Sequence, residues 1–427
     1  MQVSQIAAQT LKINHDRLYA DFEELAQIGA TPEGGVNRLA LSSEDLRARA
    51  WFANKVEEAG LLVRDDDAGN LSGVLLSDHS HARTFIIGSH LDSVPNGGRY
   101  DGAIGVLGAL ECLRTIKEAG LTLPMHLEAI DFTDDEGAWQ SLFGSRALVG
   151  RISPEDLSDS RINNAPFRAA LTRAGIEPRT IGRARRDPRS VAGYVELHIE
   201  QGPRLERAGV QIGVVTGIVG RTNYRFTFSG LASHSGTTEM DKRRDALRGA
   251  ATFIVRGHEL ARERYTEGIF NCGTVEVLPG AFNIVPSQAS VTVEIRHVSE
   301  KLMSDMETAI INLAHECATS HALTLETEMI IHMPATSLAA GVIQAVESAC
   351  DIVGATRMPL ISYAGHDAQM MAMFTPSGMV FIPSVNGIGH NPLEFSHWDD
   401  VITGTNVLLQ TVLNLTLRQA DDQKPST

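Results

Sequence analysis

The spacing of apolar and polar residues in the first 200 residues alternates between two patterns. Ser42-Ser43-Glu44-Asp45 is typical of a helix N-terminus, and the helix it opens runs to Gly60. Residues 103–119 have helical periodicity and stop at Gly120. Short apolar runs predict buried strands at 84–87, 125–132, 194–199 and, near the end of the chain, 379–382. This alternation predicts an α/β fold, with a mixed, mostly parallel sheet and helices on both faces.

The middle of the chain has a different order of elements. Residues 210–229 are strand-rich, and further strands are predicted at 269–277, 289–296 and 323–331. Helices are predicted at 241–264 and 300–321. The order β-α-β-β-α-β is that of a ferredoxin-like sandwich. We therefore expect an inserted α+β domain of residues 212–331 within a first domain made of residues 1–211 and 332–427.

Composition narrows the class of protein. The chain has 427 residues, of which 43% are hydrophobic and 21% charged, a normal globular balance. No stretch is apolar enough to span a bilayer, and the first residues lack the pattern of a secretory signal. A net charge of −15 disfavours nucleic acid and anionic membranes as partners. Four scattered cysteines without a C-x-x-C spacing indicate thiols in a reducing compartment, so we expect a cytoplasmic protein.

Imidazole and carboxylate groups recur at the ends of predicted strands. They occur in residues 88–92, 131–137, 196–200 and 387–392, and a further aspartate lies in the glycine-rich segment 97–102. Open α/β sheets bind ligands at the carboxyl ends of their strands, so these groups are expected to converge. Each segment alone is more often a capped turn or a solvated acidic loop. Together they favour a metal site.

The number of candidate ligands exceeds the need of one ion. A single catalytic ion takes three protein ligands and keeps an open position. Three histidines and at least two acids would be used in full by two ions about 3.5–4 Å apart that share a carboxylate. Such donors suit zinc, manganese, cobalt or nickel. We therefore expect two divalent metal ions per subunit.

Seven segments resemble one known family over nearly the whole chain. The family is that of N-carbamoyl-L-amino-acid hydrolases, β-ureidopropionases and allantoate amidohydrolases, the hydantoinase/carbamoylase-type amidases of the dizinc peptidase superfamily. The segments are GSHLDSVPNGGRYDGAIGVLGALE, FTDDEGAWQSLFGSRALVG, ELHIEQGPRLE, ASHSGTTEMDKRRDA, NIVPSQASVTVEIRH, AGHDAQMM and FIPSVNGIGHNPLE. The resemblance implies a dizinc aminopeptidase-like catalytic domain with an inserted dimerisation and lid domain.

The resemblance also implies which residues hold the metals. One ion would be bound by His90, Asp101 and His198. Asp101 would bridge to a second ion, whose other ligands would be Glu136 and His390. In the same family pattern Asp92 hydrogen-bonds to His90 and sets its tautomer.

Further positions are implied for substrate binding, in a homodimer. His234 would reach the scissile carbonyl from the partner subunit. Asn283 and Arg296 would bind the substrate carboxylate, for which the planar fork of arginine is suited. Gly365 and His366 would line the same pocket.

Three departures from the family pattern bear on activity. Asp135 stands at the position of the general base, which is normally a glutamate, so its carboxylate is drawn back by about 1.5 Å. Arg221 replaces a common glutamine, and Tyr363 replaces a usual glycine. Because Arg221 and Tyr363 are expected to contact the substrate pocket, these two changes concern the choice of substrate more than the reaction.

The sequence thus predicts a metal-dependent amidohydrolase that cleaves a linear C–N bond of a carboxylate-bearing ureido or amide substrate. The leading hypothesis is an N-carbamoyl amino acid, which would give an amino acid, ammonia and carbon dioxide. Allantoate amidohydrolase and N-acyl amino acid amidase are alternatives. A metal-binding protein without catalysis is the alternative outside the enzymes, because of Asp135.

Overall fold

The structure is a computed structural model that describes residues 9–152 and 165–422, with side chains described up to residue 417. The first eight residues, where the pattern of a secretory signal would begin, lie outside the described residues. In the described part no helix is both long and apolar enough to cross a membrane.

The strands are numbered along the chain. They are β1 (Leu62–Asp65), β2 (Leu71–Leu75), β3 (Thr84–His90), β4 (His126–Phe132), β5 (Val191–Ile199), β6 (Ile212–Ile218), β7 (Gly220–Ser229), β8 (Ser233–His234), β9 (Ile269–Leu278), β10 (Ile284–Val285), β11 (Gln288–His297), β12 (Thr324–Met333), β13 (Thr336–Ser337), β14 (Arg357–Ser362) and β15 (Ser377–Ile382).

The α-helices are numbered in the same way. They are α1 (His15–Ala26), α2 (Ser43–Glu58), α3 (Ala103–Glu118), α4 (Phe143–Leu148), α5 (Ala165–Arg173), α6 (Arg204–Ala208), α7 (Ala246–Arg264), α8 (Glu300–Ser320), α9 (Ala340–Val353), α10 (Asp367–Met371) and α11 (Trp398–Asp422). Short 3₁₀ turns cover Ile181–Ala184, Pro188–Ser190, Met240–Lys242 and Val385–Gly387.

The chain divides into two compact units. The first contains Met1–Thr216 and Ser337–Thr427, and the second contains Gly217–Thr336. The divisions therefore fall about five residues after the boundaries expected from the sequence.

The first unit is built on a nine-stranded mixed sheet in the order β1-β2-β4-β3-β5-β15-β6-β13, with β14 paired to β6. The parallel part is the centre, where β4, β3, β5 and β15 run in the same direction. Residues of β5 and β15 are buried throughout, because helices cover both faces of the sheet. The α/β fold with a mostly parallel central sheet is confirmed.

The ends of the helices follow local capping chemistry. Ser42 caps α2 by accepting a hydrogen bond from the main-chain N of Asp45 at 3.2 Å, as its sequence predicts. The helix predicted from residue 241 is wrong at its start, since α7 begins only at Ala246. Asp245 accepts a hydrogen bond from the main-chain N of Arg248 at 3.1 Å and caps the helix there.

The second unit is an antiparallel sheet in the order β12-β7-β11-β9, packed against α7 and α8. Alternate residues of β7 and β11 are buried beneath the helices, and the others lie on the opposite face of the sheet. The element order and sheet order are those of a ferredoxin-like sandwich. The face of the sheet opposite the helices carries two of the residues expected to bind substrate.

Candidate metal centre

Two histidines lie at the carboxyl ends of neighbouring parallel strands. His90 is the last residue of β3, and His198 is the last but one of β5. Asp101 lies in the loop that precedes α3 and is followed by Gly102. A Cβ atom at position 102 would lie only 2.3 to 2.6 Å from atoms of the His90 ring. Glycine is therefore required for this loop to bring the Asp101 carboxylate close to the imidazoles.

Asp101 lies between two groups of candidate ligands. Its Oδ1 is 2.9 Å from Nε2 of His198 and 3.7 Å from Nε2 of His90. Its Oδ2 is 3.5 Å from Nε2 of His390, which in turn lies 3.3 Å from Oε1 of Glu136. In each group the candidate ligand atoms lie within 4.8 Å of one another. The five residues that the resemblance names as ligands are thus brought together, with the shared carboxylate in the middle.

Main-chain carbonyl groups orient the two buried imidazoles. Nδ1 of His90 is 3.1 Å from the carbonyl oxygen of Asp92, and Nδ1 of His198 is 2.9 Å from that of Ile199. Each ring that donates through Nδ1 presents the lone pair of Nε2 toward Asp101. The Asp92 carboxylate is farther from Nδ1 of His90, at 3.5 Å, so the carbonyl of the same residue is its closer partner.

The Asp92 carboxylate holds the loop that follows β4. Its Oδ1 accepts a hydrogen bond from the main-chain N of Asp135 at 3.3 Å, and its Oδ2 accepts one from that of Glu136 at 3.2 Å. The loop turns at Asp134, whose φ of 57° is in the left-handed region that aspartate tolerates. Oδ2 of Asp135 is thereby placed 3.4 Å from Nε2 of His90.

Electrostatics at the site favour cations. Burial opposes the charged form of His90, but nearby carboxylates, Asp135 first, raise its pKa well above the usual range. The hydrogen bond to Glu136 raises the pKa of His390 to about 9. Burial raises the pKa of Asp135 and Glu136, and neighbouring carboxylates raise each further. A group of carboxylates that together resist ionisation is stabilised by bound positive charge.

The donor set fits two divalent ions. Within the described residues, Asp135 Oδ1 is buried and has no hydrogen-bond partner. A buried carboxylate oxygen without a partner is unfavourable, and a metal ion would satisfy it. Imidazole together with carboxylate suits zinc, manganese, cobalt and nickel. The assignment of individual ligands remains a prediction.

A third group of possible ligands has another explanation. Glu196, His198 and His366 also lie close enough to hold an ion. However, Glu196 accepts a hydrogen bond from Ser89 Oγ at 2.7 Å and one from the main-chain N of Ala368 at 2.9 Å. Its oxygens are therefore used within the fold, where they join β3 and β5 to the start of α10.

The sequence did not predict two residues that form hydrogen bonds with the candidate metal ligands. Glu394 accepts hydrogen bonds from the main-chain N of Tyr100 and of Asp101, both at 3.0 Å, and from that of His390 at 3.3 Å. Gln201 donates from Nε2 to Oδ2 of Asp101 at 3.1 Å. Both residues lie within segments that carry the family resemblance, which was the available signal.

The expected pocket residues of the first unit lie in the loop before α10. His366 is buried, and its ring centroid is 4.5 Å from that of His198. Gly365 is exposed at the surface. The guanidinium of Arg204 lies 5.2 Å from the ring centroid of Tyr363. Tyr363 thus has a cationic partner that a glycine would not engage.

The second unit contains the other expected substrate-binding residues, in two groups. Arg221 on β7 is directly opposite Arg296 on β11. His234 is in β8, which pairs with β10, and the following residue, Ser235, donates its main-chain N–H to the carbonyl oxygen of Asn283 at 3.1 Å. His234 and Asn283 therefore belong to one small hairpin-like region.

Comparison with known proteins shows the family. Residues 86–414 match the model of Peptidase family M20/M25/M40. An N-carbamoyl-L-amino acid amidohydrolase from Geobacillus stearothermophilus is 38% identical over 405 residues, which cover 94% of this chain and 99% of that protein. An allantoate amidohydrolase from Bacillus subtilis is 31% identical, with 92% and 96% covered. The crystal structure of a hydantoinase/carbamoylase family amidase from Burkholderia vietnamiensis has a TM-score of 0.84 at 33% identity, with 96% and 98% covered.

The fold and the donor set are those of a metal-dependent amidohydrolase. The chain belongs to Peptidase family M20/M25/M40, in the branch that contains the N-carbamoyl-L-amino-acid and allantoate amidohydrolases. It is a hydrolase that acts on carbon–nitrogen bonds other than peptide bonds. The family resemblance drawn from the seven segments is confirmed.

Proposed function

We propose that this enzyme hydrolyses the ureido group of an N-carbamoyl amino acid. The observation that carries the proposal is the Asp101 carboxylate between two sets of ligands, with Asp135 beside His90. The amidohydrolases from Geobacillus and from a Pseudomonas strain, 38% and 34% identical, are both named for this reaction. Water would add across the C–N bond, releasing the amino acid and a carbamate that decomposes to ammonia and carbon dioxide.

Asp135 is the proposed general base. Two divalent ions bound by His90, Asp101, His198, Glu136 and His390 would supply Lewis-acid activation of water and of the carbonyl group. Burial raises the pKa of Asp135, which brings a carboxylate closer to the operating pH of a base. Asp135 would take a proton from the attacking water and deliver it to the leaving nitrogen. The hydrogen bond from its main chain to Asp92 holds the loop in place for both transfers.

His234 is proposed to donate a hydrogen bond to the developing oxyanion. Its Nδ1 accepts hydrogen bonds from the main-chain N of Gly236 at 3.1 Å and of Thr237 at 3.2 Å. A neutral imidazole that accepts at Nδ1 carries its proton on Nε2. The exposed ring of His234 is thus prepared to act as a donor, as oxyanion stabilisation requires.

Recognition of the substrate is proposed for four further residues. Arg296 and Asn283 would bind the carboxylate by charge and hydrogen bonding, and Gly365 and His366 would line the pocket. We further propose that the enzyme is a homodimer and that it is cytoplasmic. Its four cysteines are free thiols, which supports a reducing compartment.

Allantoate is the alternative substrate, since an enzyme of that name is 31% identical to this chain. A panel of N-carbamoyl amino acids, N-acyl amino acids and allantoate, assayed for ammonia or amine release with manganese, cobalt or zinc added, separates the hypotheses. We expect ammonia from N-carbamoyl amino acids. Ammonia from allantoate alone would assign the other substrate, and amine release from the acyl compounds alone would assign an acylase.

Substitution of the proposed base tests the mechanism. Asp135→Asn is expected to lower kcat by at least about 100-fold, because general-base catalysis contributes that much or more. The amide keeps the size of the side chain, so metal content measured by atomic emission should match that of the wild type. Full activity in this variant would remove Asp135 from the mechanism. Absence of any turnover in the wild-type protein with all three metals would favour a non-catalytic metal-binding protein.

A further inference from the structure

The carboxylate of Glu394 connects two separate loops of the candidate metal centre. Its Oε1 accepts hydrogen bonds from the main-chain N–H groups of Tyr100 and Asp101, both at 3.0 Å. Its Oε2 accepts one from the main-chain N–H of His390 at 3.3 Å. The two oxygens of one carboxylate thus hold the main chains of two candidate ligands that lie far apart in the sequence.

The two groups of candidate ligands are supported in different ways. His90 and His198 belong to strands of the central sheet, and main-chain carbonyl groups orient their rings. His390 lies in a loop, where its side chain is 49% exposed and its Nε2 faces the carboxylates of Glu136 and Asp101. The first group is therefore held by the sheet, whereas the second group depends on contacts between loops.

The backbone of His390 needs such contacts. Its φ of 55° is in the left-handed region, which a residue with a Cβ atom keeps only when its surroundings hold it there. The hydrogen bond to Oε2 of Glu394 is a contact of this kind. Glu394 also donates its own main-chain N–H to the carbonyl oxygen of Asn391 at 2.9 Å, which closes the turn. The position of the His390 ring therefore depends on Glu394.

The space that Glu394 occupies depends on Gly98. A Cβ atom at position 98 would overlap the carboxyl group of Glu394. Gly98 is not among the glycines with a positive φ, so glycine is required here for space and not for its conformational freedom. Glu394 is only 4% exposed, and a buried carboxylate is costly unless hydrogen bonds satisfy it. The buried charge and the glycine beside it serve one arrangement, in which the carboxylate reaches three main-chain N–H groups.

We propose that Glu394 is a positioning residue for the second metal ion and that Gly98 makes room for it. This inference rests on the proposed ligand assignment, in which Asp101, Glu136 and His390 bind that ion. Because Glu394 holds the main chains of two of these three residues, its loss should lower the affinity for the second ion. The first ion should be affected less, because two of its candidate ligands lie in strands of the central sheet.

Stepwise metal titration of Glu394→Gln tests the proposal. Metal-free protein is titrated with zinc in competition with a chromogenic chelator, and bound zinc is counted by atomic emission. The wild type is expected to bind two ions per subunit. In the variant the amide oxygen can still accept from Tyr100 and Asp101, but the NH2 group then faces the main-chain N–H of His390. The second zinc should bind about 10- to 100-fold more weakly, and the first with nearly unchanged affinity.

Glu206→Gln is the matched control. Glu206 is exposed, and its Oε2 accepts a hydrogen bond at 2.8 Å from the main-chain N–H of Asn386, a few residues before His390. The same substitution is thus made at a glutamate that supports the neighbouring segment but is bonded to no candidate ligand in the described structure. This variant should bind both ions as the wild type does.

A second variant moves the carboxylate without changing its chemistry. Gly98→Ala adds a methyl group where the Glu394 carboxyl group lies, and the flexible end of that side chain is expected to move away. The second zinc should again bind at least about tenfold more weakly, while the first is retained. Gly341→Ala is the control, because a Cβ atom there meets no atom within 4 Å. Thermal unfolding of each metal-free variant checks that the fold is retained.

The pattern of the two affinities decides between positioning and a general structural role. If Glu394→Gln and Gly98→Ala weaken both ions equally, or leave both unchanged, the inference is wrong, although the wild type still binds two ions. A wild type that binds a single zinc would overturn the ligand assignment and this inference with it. The titrations do not depend on turnover, so their result is separate from whether ureido acids are hydrolysed.

Discussion

At the scale of single residues, Asp92 connects the candidate ligand His90 to the loop that follows β4. Its main-chain carbonyl faces Nδ1 of His90, while its carboxylate accepts the main-chain N–H groups of Asp135 and Glu136. One residue therefore sets the direction of an imidazole on β3 and the position of two carboxylates after β4. Outer partners of this kind orient ligands and strengthen metal binding.

Asp92→Asn should weaken metal binding without unfolding the protein. The asparagine side chain keeps one acceptor oxygen, but its NH2 group then faces the second main-chain N–H group. The loop that carries Glu136 therefore loses one of the two hydrogen bonds that hold it. We expect metal affinity to fall about 10- to 100-fold, measured by competition with a chromogenic chelator. Asp245→Asn, at the N-terminal cap of α7 in the second unit, changes the same atoms in a residue that is not a candidate ligand, and this variant should bind metal as the wild type does. Equal affinity in both variants would mean that Asp92 has no part in holding the site.

The sequence pointed to most of the candidate ligands because they lie at or just after the ends of apolar runs, a pattern that depends on neighbouring positions only. The family resemblance then implied the individual ligands, including Asp101 in its glycine-rich segment. The sequence did not identify Glu394 as the residue that accepts from Asp101, because the two are 293 positions apart. Gln201 is similarly joined to Asp101 by a side-chain hydrogen bond across 100 positions. Hydrogen bonds that form only after the sheet has assembled leave no periodic signal in the chain.

At the scale of elements, β4 carries a buried carboxylate that joins it to the segment before β5. Glu128 is fully buried and accepts hydrogen bonds at 2.6 Å from both Nη1 and Nη2 of Arg186. Arg64 adds a longer contact from β1 at 3.4 Å. Burial alone would raise the pKa of Glu128, but the bonds from Arg186 outweigh it and the pKa is lowered. The pair is thus a charged cross-link within the first unit.

Arg186→Met should destabilise the first unit by roughly 3 kcal/mol at pH 7, since it leaves a buried carboxylate with little compensation. In the wild type the folded pKa of Glu128 is below its unfolded value. The stabilisation from the pair is therefore present above about pH 4.5 and is lost as the pH falls through the folded pKa. The difference between variant and wild type should accordingly shrink from pH 7 to pH 4, as measured by urea unfolding midpoints.

A surface pair provides the control for that comparison. Arg189 bonds to Asp187 with its side chain 90% exposed, so Arg189→Met should change the midpoint little at either pH. A difference for Arg186→Met that stays constant between pH 7 and pH 4 would show that lost packing, and not charge, explains the effect.

The exact ends of the helices and strands depend on polar contacts of individual residues, which the pattern of apolar residues does not show. The strand predicted to end at residue 87 continues to His90, because the polar residues Ser89 and His90 are buried at the sheet's end. A prediction that depends on apolar residues ends a strand where polar residues begin, even when those residues are buried. Here the buried polar residues belong to the candidate site. The central parallel strands were predicted well because burial on both faces makes them continuously apolar.

At the scale of the whole molecule, buried carboxyl groups are concentrated around the candidate metal site, in a chain whose net charge is −15. Asp92, Asp101, Asp135 and Glu136 are buried or nearly so and lie within a few ångströms of one another, and Asp367 is buried nearby with both carboxylate oxygens unpartnered within the described residues. Burial raises the pKa of Asp367 well above its usual range, as does the charge of Glu196. Bound cations would offset this repulsion, which links metal binding to folding.

Removal of metal should therefore lower the thermal stability of the protein. A ligand that binds only the folded state adds about 2.7 kcal/mol when its concentration is 100 times Kd, so the melting temperature of protein treated with a chelator should rise on adding zinc, manganese or cobalt. Magnesium should have less effect, because imidazole donors suit it poorly. His198→Ala removes a donor at the centre of the site and should reduce the metal-dependent rise by differential scanning calorimetry. An equal rise in wild type and His198→Ala would place the stabilising ions elsewhere on the protein.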